Sequence, residues 1–196
     1  MSEQPIRLVV IVGSVRSGRS GPTVANWFAR QARRHGEFEV DVVDLAQVPL
    51  PMTMPDFGSA PPPGAAQALE NLTPRLDAAD VFVVVTPEYN HSFPASLKNV
   101  IDWHHRQWQA KPVGFVSYGG LSGGLRAVEH LRLVFAELHA VGIRDTVSFH
   151  GAGQFDDKGD PADPEGCMSA ANLMLDRLTW WARTLRDGRT TRPYAA

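Results

Sequence analysis

Ile11-Val12-Gly13-Ser14-Val15-Arg16-Ser17-Gly18-Arg19-Ser20-Gly21-Pro22-Thr23-Val24 carries an apolar strand into a loop of glycine, hydroxyl and guanidinium groups just before a helical pattern begins. Strand, loop and helix in that order form the first half of a βαβ unit, which points to a parallel sheet. At the helix start the first backbone N–H groups have no intrahelical partner and point outward, and the macrodipole favours an anion there. Ser14, Ser17, Ser20 and Thr23 add hydroxyl donors, and Arg16 and Arg19 add charge. The stretch reads as a metal-free cradle for a phosphate.

Working outward, short valine-rich runs at 8–12, 40–43, 81–85, 113–116 and 147–149 are bounded by turn residues, as strands buried on both faces should be. Between them apolar residues recur at helical spacing. Val24, Trp27, Phe28 and Ala32 form one set, Leu131, Val134, Phe135, Leu138 and Val141 a second, and Met174, Leu178, Trp181 and Leu185 a third. Two more helices are expected around 65–78 and 95–104, the first after an irregular Pro- and Gly-rich stretch at 49–64. The residues from Gly188 to Ala196 are expected to fray. Five strands alternating with five helices imply an α/β fold, a five-stranded parallel sheet with helices on both faces, in a single domain over 1–196. Ligands of such sheets sit beyond the carboxyl ends of the strands. The loops 13–22, 86–93 and 117–124 should therefore converge.

Composition narrows the function. The 196 residues carry a net charge of -2 with no basic stripe, which argues against a nucleic-acid partner. Cys167 is the only cysteine, so no disulfide framework or thiolate cluster is available, and the scattered histidines suggest no metal site. No apolar run approaches membrane-span length, and residues 1–7 lack a signal-peptide core, which places the expected location in the cytoplasm. Gly13 to Ser20 misses the Walker pattern by one residue, with Arg19 in place of lysine, and no aspartate closes the strand at 81–85. The dinucleotide fingerprint is absent because Gly13, Gly18 and Gly21 are wrongly spaced. Gly120-Leu121-Ser122-Gly123-Gly124 satisfies the G-x-S-x-G of a nucleophile elbow, with Asp145 and His150 following in hydrolase order, so a serine hydrolase using Ser122 is an alternative.

Another reading uses all three loops. Thr86-Pro87-Glu88-Tyr89-Asn90 ends the third strand, and its backbone groups and the Tyr89 ring suit a flat heteroaromatic ring bearing carbonyls and an N–H. The backbone at Gly119 and Gly120 lets that ring approach from a neighbouring strand. Gly13-Ser14-Val15-Arg16, the run Thr86 to Asn90 continued by Ser92, Pro94, Leu97, Lys98, Asn99, Asp102 and Trp103, and Ser117-Tyr118-Gly119-Gly120 together resemble the NADPH-dependent FMN reductase family. That family includes quinone, azo-dye and chromate reductases of flavodoxin-like fold. The resemblance covers about the first three-quarters of the chain, and its middle motif is highly specific.

The resemblance implies bound FMN, reduced by NADPH or NADH and reoxidised by a small-molecule acceptor. It assigns the FMN phosphate to Ser14, Arg16, Ser20, Gly21, Pro22, Thr23 and Val24, the flavin edge to Pro87, Glu88, Tyr89 and Asn90, and a third contact to Ser117, Gly119 and Gly120. Many relatives carry Ser-x-Asn before the first helix, whereas this chain has Ser20-Gly21-Pro22, which leaves Thr23 as the substitute donor. It further implies a homodimer or homotetramer built on the helix bearing Leu97, Lys98, Asn99, Asp102 and Trp103. No catalytic side chain is required, because the cofactor carries the chemistry. Plainer roles stand beside these: Arg16 and Arg19 as solvated charges, Glu88 as a turn cap, Tyr89 as core, Lys98 and Asp102 as a surface ion pair, and Trp27, Trp180 and Trp181 as core or subunit contact. A flavodoxin-like electron carrier without turnover is a further alternative, although such carriers are usually strongly acidic.

Overall fold

The computed structural model describes residues 4–56, 58–151 and 153–195. Over these residues the chain runs β1 (Ile6–Val12), α1 (Gly21–His35), β2 (Phe38–Asp44), a 3-10 turn at Leu45–Gln47, α2 (Pro63–Ala78), β3 (Val81–Pro87), α3 (Ala95–Asp102), β4 (Pro112–Gly119), α4 (Leu125–Glu137), β5 (Val141–His150) and α5 (Pro164–Thr191). Every strand pairing is parallel and the order is β2-β1-β3-β4-β5. This is the flavodoxin-like order, and the direction of winding reverses between β1 and β3.

Period-two alternation explains why the central strands read as unbroken apolar runs. Leu8, Val10 and Val12 of β1 and Val81, Val83 and Val85 of β3 face Trp27 and Phe28 of α1 and Met174, Leu175 and Leu178 of α5. Val9, Ile11, Phe82 and Val84 face the other way, against Leu72 and Leu76 of α2, Leu97 and Ile101 of α3, and Leu131 and Phe135 of α4. Trp108, between α3 and β4, closes this second layer. Its ring lies 4.7 Å from that of Phe82 and 5.5 Å from that of Phe135, and its indole N–H donates to His104 O at 2.7 Å.

Several boundaries depart from the sequence reading. Val141 was expected on a helix, but α4 stops at Glu137 and Val141 opens β5 opposite Pro112. The cause is a left-handed turn at His139, φ 58°, which diverts the chain before the helical periodicity has run out. β5 is an edge strand with exposed Gly142 and Arg144, so its first half lacks the apolar signal that marked 147–149. α3 ends at Asp102 rather than at 104. Gly188 does not begin a frayed tail: α5 continues to Thr191, and Arg189 anchors it on Ala110 O and Asp80. Trp27 is core, whereas Trp180 lies on the surface of α5, 59% exposed, edge-on to Trp181. Residues 1–3, read above as lacking a signal core, lie outside the described residues, as do Phe57 in the irregular 49–64 stretch, Ala152, and Ala196 at the end of the expected tail.

Replacing Trp108 with alanine is expected to remove about 3–5 kcal/mol of unfolding free energy, as for other fully buried aromatics. Urea denaturation measures it, and a loss below about 1 kcal/mol would contradict its role in closing the layer.

Candidate functional site

At the end of β1 the Gly13 amide donates to Val85 O at 2.9 Å and its carbonyl accepts from the Ser96 hydroxyl at 2.6 Å, which fixes where the first loop starts. From there the backbone leaves its donors unspent. Among the described residues, the amides of Ser17, Gly18, Ser20, Gly21 and Thr23 bond to no protein acceptor. Ser20 is the N-cap of α1 but its hydroxyl does not cap, and Pro22, in the first turn, contributes no donor. The Val24 amide is already given to Ser20 O at 3.1 Å and its side chain is core, so Val24 secures the first turn without offering a donor.

The loop's side chains divide sharply. Arg16 is exposed and makes no side-chain hydrogen bond or ion pair among the described residues. Arg19 is committed: its guanidinium grips Asp44 at 2.6 and 2.7 Å and Ser14 O at 2.7 Å. The Arg19 hydrogen bond outweighs burial and holds the Asp44 carboxyl below its ordinary range. Ser14 is wholly buried, shares a hydrogen bond with the Tyr89 hydroxyl at 2.7 Å, and accepts the Arg16 amide at 3.4 Å. Neither the solvated charge considered for Arg19 nor a free Ser14 hydroxyl is present. Both groups are spent on shaping the loop.

Pro87 ends β3, and Tyr89 and Ser92 exchange backbone bonds at 2.8 and 3.1 Å across Asn90 and His91, whose φ values are 50° and 74°. Two consecutive positive φ angles make this a type I′ turn, for which asparagine is suited. Asn90 is exposed at its tip. The Glu88 side chain is only 9% exposed and accepts from the Ser122 hydroxyl at 2.6 Å and the Arg126 amide at 3.2 Å, with the Arg126 guanidinium at 3.1 Å. Burial disfavours the charged form, but the Ser122 hydroxyl and Arg126 win, and the carboxyl ionises below the usual glutamate range. Because Gly124 at the N-cap of α4 has no side chain, Glu88 caps that helix from across the sheet.

In the third loop the buried Ser117 hydroxyl donates to Gly123 O at 2.8 Å, so it braces the turn. A side chain on Gly119 would come within 3.3 Å of the Gly124 amide, whereas Gly120 has open space beside it. Leu121 stands 96% exposed at the tip. Ser122 does not form a hydrolytic triad. Its hydroxyl is on Glu88, while His150 Nε2 lies 3.1 Å from the Ser148 hydroxyl and Asp145 pairs with Arg144. The left-handed residues here are Gly123 and Gly124, not the serine that an elbow would strain.

The register of β1, β3 and β4 brings all three loops to one edge, with Pro87 beside Tyr118. A cavity of roughly 420 Å³ there is lined by Ser20, Thr23, Tyr118, Gly119 and Gln154. The sequence reading missed several contributors. Tyr118, inside the Ser117–Gly120 motif, sends its phenol across to the start of α1. Asn99 and Trp103, expected at a subunit contact, turn their side-chain N–H groups onto Leu50 O at 3.1 Å and Pro51 O at 3.0 Å, tying the 50–51 segment to α3. No spacing rule signals such long-range bonds to a loop carbonyl. Lys98 and Asp102 do form the surface ion pair, at 2.6 Å. Unspent amides, an unpaired Arg16 and an open backbone at Gly120 fit a phosphate monoester that carries a flat ring.

Comparison with known proteins agrees. The family model described as NADPH-dependent FMN reductase matches residues 6–154. An NAD(P)H-dependent FMN reductase of Schizosaccharomyces pombe is 40% identical over 122 residues, covering 60% of this chain and 60% of that protein, so less than two-thirds of its length is spanned. A quinone reductase of Escherichia coli is 34% identical over 185 residues, covering 91% of this chain and 92% of that one. Among solved structures, the flavoenzyme NAD(P)H:(acceptor) oxidoreductase FerB of Paracoccus denitrificans superposes with a TM-score of 0.72 over 91% of this chain and 98% of its own, at 22% identity, which is a likeness of fold.

The Glu88 clamp predicts a pH dependence. A carboxyl whose folded-state pKa is depressed contributes stability that is complete above its unfolded pKa, about 4, and is lost as pH falls through the lower folded value. Glu88→Gln is expected to flatten that acid limb and to cost about 1–3 kcal/mol at pH 7. Denaturant midpoints measured at neutral and acid pH check both effects; parallel curves for the two proteins would rule the clamp out.

Proposed function

The chain belongs to the NADPH-dependent FMN reductase family, and on that premise we propose that it is an FMN-dependent NAD(P)H oxidoreductase serving a small acceptor such as a quinone, an azo compound, a free flavin or a metal oxyanion. When bound, FMN supplies the redox chemistry, taking hydride from the nicotinamide and passing reducing equivalents to the acceptor. The observation that carries this reading is the first loop, where amides at a helix start and the Arg16 guanidinium have no partner among the described residues.

In this reading the amides of Gly21 and Thr23, the Ser20 and Thr23 hydroxyls and the Arg16 guanidinium hold the phosphate. Charge-assisted contacts of this kind contribute about 1.5–3 kcal/mol each. Pro22 and Val24 fix the turn that presents them. Ser14 acts indirectly by locking Tyr89 against the loop. The backbone of Pro87, Glu88, Tyr89 and Asn90 borders the ring on one side and that of Gly119 and Gly120 on the other, while Ser117 and the Glu88 carboxylate keep those segments in place. At Gly120 the absence of a side chain leaves room for a donor or acceptor to reach the ring. The whole chain, 1–196, acts as one FMN-binding domain. Its implied assembly is a homodimer or homotetramer contacting through the outer face of α3, and its implied compartment is the cytoplasm, which a lone Cys167 suits. Among the described residues, no helix is long and apolar enough to cross a membrane.

Anaerobic addition of NADPH to the FMN-loaded protein is expected to bleach the flavin absorbance without any second protein, and a quinone should restore it. Flavin that stays oxidised until a separate reductase is added would make the protein an electron carrier. Arg16→Ala is expected to weaken FMN binding about ten- to a hundredfold. Unchanged affinity by fluorescence titration would remove Arg16 from the phosphate site.

A further inference from the structure

We propose that the Tyr118 hydroxyl is a ligand of the FMN phosphate, donating its proton to a phosphoryl oxygen at the start of α1. The inference rests on the FMN reading of the site and adds a residue to it. Three observations converge. The hydroxyl oxygen of Tyr118 is withdrawn from solvent and has no hydrogen-bond partner among the described residues. Unpaired buried donors are rare and call for an explanation. The phenol also reaches the first residue of α1 so closely that a Cβ on Gly21 would lie 2.9 Å from its oxygen, so only glycine at that position leaves the ring its place. Finally, the amides of Ser20, Gly21 and Thr23 at that helix start bond to no acceptor among the described residues.

Donors without acceptors thus gather at one point. Burial, with the neighbouring Tyr89, pushes the Tyr118 phenol above its ordinary pKa, against the weaker opposing pull of Ser14 and Arg19. The group therefore keeps its proton and acts as a donor. A phosphate brought beside it disfavours the phenolate further, so the anion receives a hydrogen bond and does not abstract a proton. The neighbouring Ser14 hydroxyl makes its short hydrogen bond to Tyr89 and does not reach hydrogen-bond geometry with the Tyr118 phenol. A phosphate, with several acceptor oxygens, can satisfy the phenol, the amides and Arg16 together, which a neutral carbonyl cannot. Residues 15–18 and Ser20 are exposed, and a Cβ placed on Gly18 would meet nothing within 4 Å, so there is open space beside the loop for a phosphate while the core stays intact.

The test is Tyr118→Phe, titrated by flavin fluorescence with FMN and with riboflavin, which lacks the phosphate, alongside the wild type. The expected result is a ten- to hundredfold loss of affinity for FMN, riboflavin affinity equal to wild type, and an apo-protein Tm equal to or above wild type, because phenylalanine removes only an unpaired buried hydroxyl. Unchanged FMN affinity, or an equal loss for both flavins, overturns the assignment. A wild type that binds neither flavin overturns the reading of the site itself, an outcome distinct from a wild type and variant that bind FMN equally well.

Discussion

Apart from Arg7 and the Tyr118–Gly119 end of β4, the strands β1, β3 and β4 have no face left for water, and most of the site's geometry follows from that constraint. A strand buried on both faces can pair only in the register that sends alternate residues into two separate helix layers, since a slip of one residue would exchange those layers. Val12 beside Val85 and Pro87 beside Tyr118 are fixed in this way. Once they are fixed, the three loops must leave the sheet at one edge, and the reversal of winding between β1 and β3 leaves a crevice there that no crossover covers. The apolar runs thus position a polar site that contains almost none of their own residues.

Around that crevice the polar groups fall into two sets. One set is spent on the protein: Ser14 on Tyr89, Arg19 on Asp44, Ser117 on Gly123 O, and Glu88 on Ser122 and Arg126. Each of these bonds joins segments that are distant in sequence or closes a turn, so together they hold the loops at fixed separations. The other set has no partner among the described residues: the amides of Ser17, Gly18, Ser20, Gly21 and Thr23, the Arg16 guanidinium and the Tyr118 hydroxyl. Ordering donors beforehand so that a ligand need not order them is how binding energy is preserved. The spent set accordingly makes the unspent set useful.

This division also explains what could be read from the sequence. Strand identity, the parallel sheet and the convergence of the loops were legible because hydrophobic periodicity is local. The phosphate loop was legible because its chemistry lies in one contiguous stretch. What stayed hidden was the bonding state of individual side chains. Arg16 and Arg19 are chemically alike and three residues apart, yet one has no side-chain partner among the described residues and the other is neutralised by an aspartate 25 positions away. Asn99 and Trp103 stand in a helix that the resemblance assigns to a subunit contact, and within the chain they also hold a loop about fifty residues earlier. Val141 continued a helical spacing by coincidence, and only the left-handed turn at His139 separates it from α4. Pairings across long sequence distances leave no periodic trace.

The opposite edge of the sheet shows why the crevice tolerates unpaired groups. There Asp80 accepts the Arg7 amide and faces Arg186 and Arg189, each at 3.5 Å, and Arg189 also reaches Ala110 O. The Lys111 ammonium is buried against the end of α2, donating to Leu76 O at 2.9 Å and Asp77 O at 3.0 Å, and burial together with Arg189 brings its pKa down to about 8. Nearly every charged group at that edge is answered, and α5 is pinned along its last turns. Local opening is easiest where backbone donors lack partners and hardest where they are satisfied. Satisfaction concentrated at the amino-terminal edge and unspent donors at the carboxyl edge give a frame that stays folded without those donors and leaves them for a ligand.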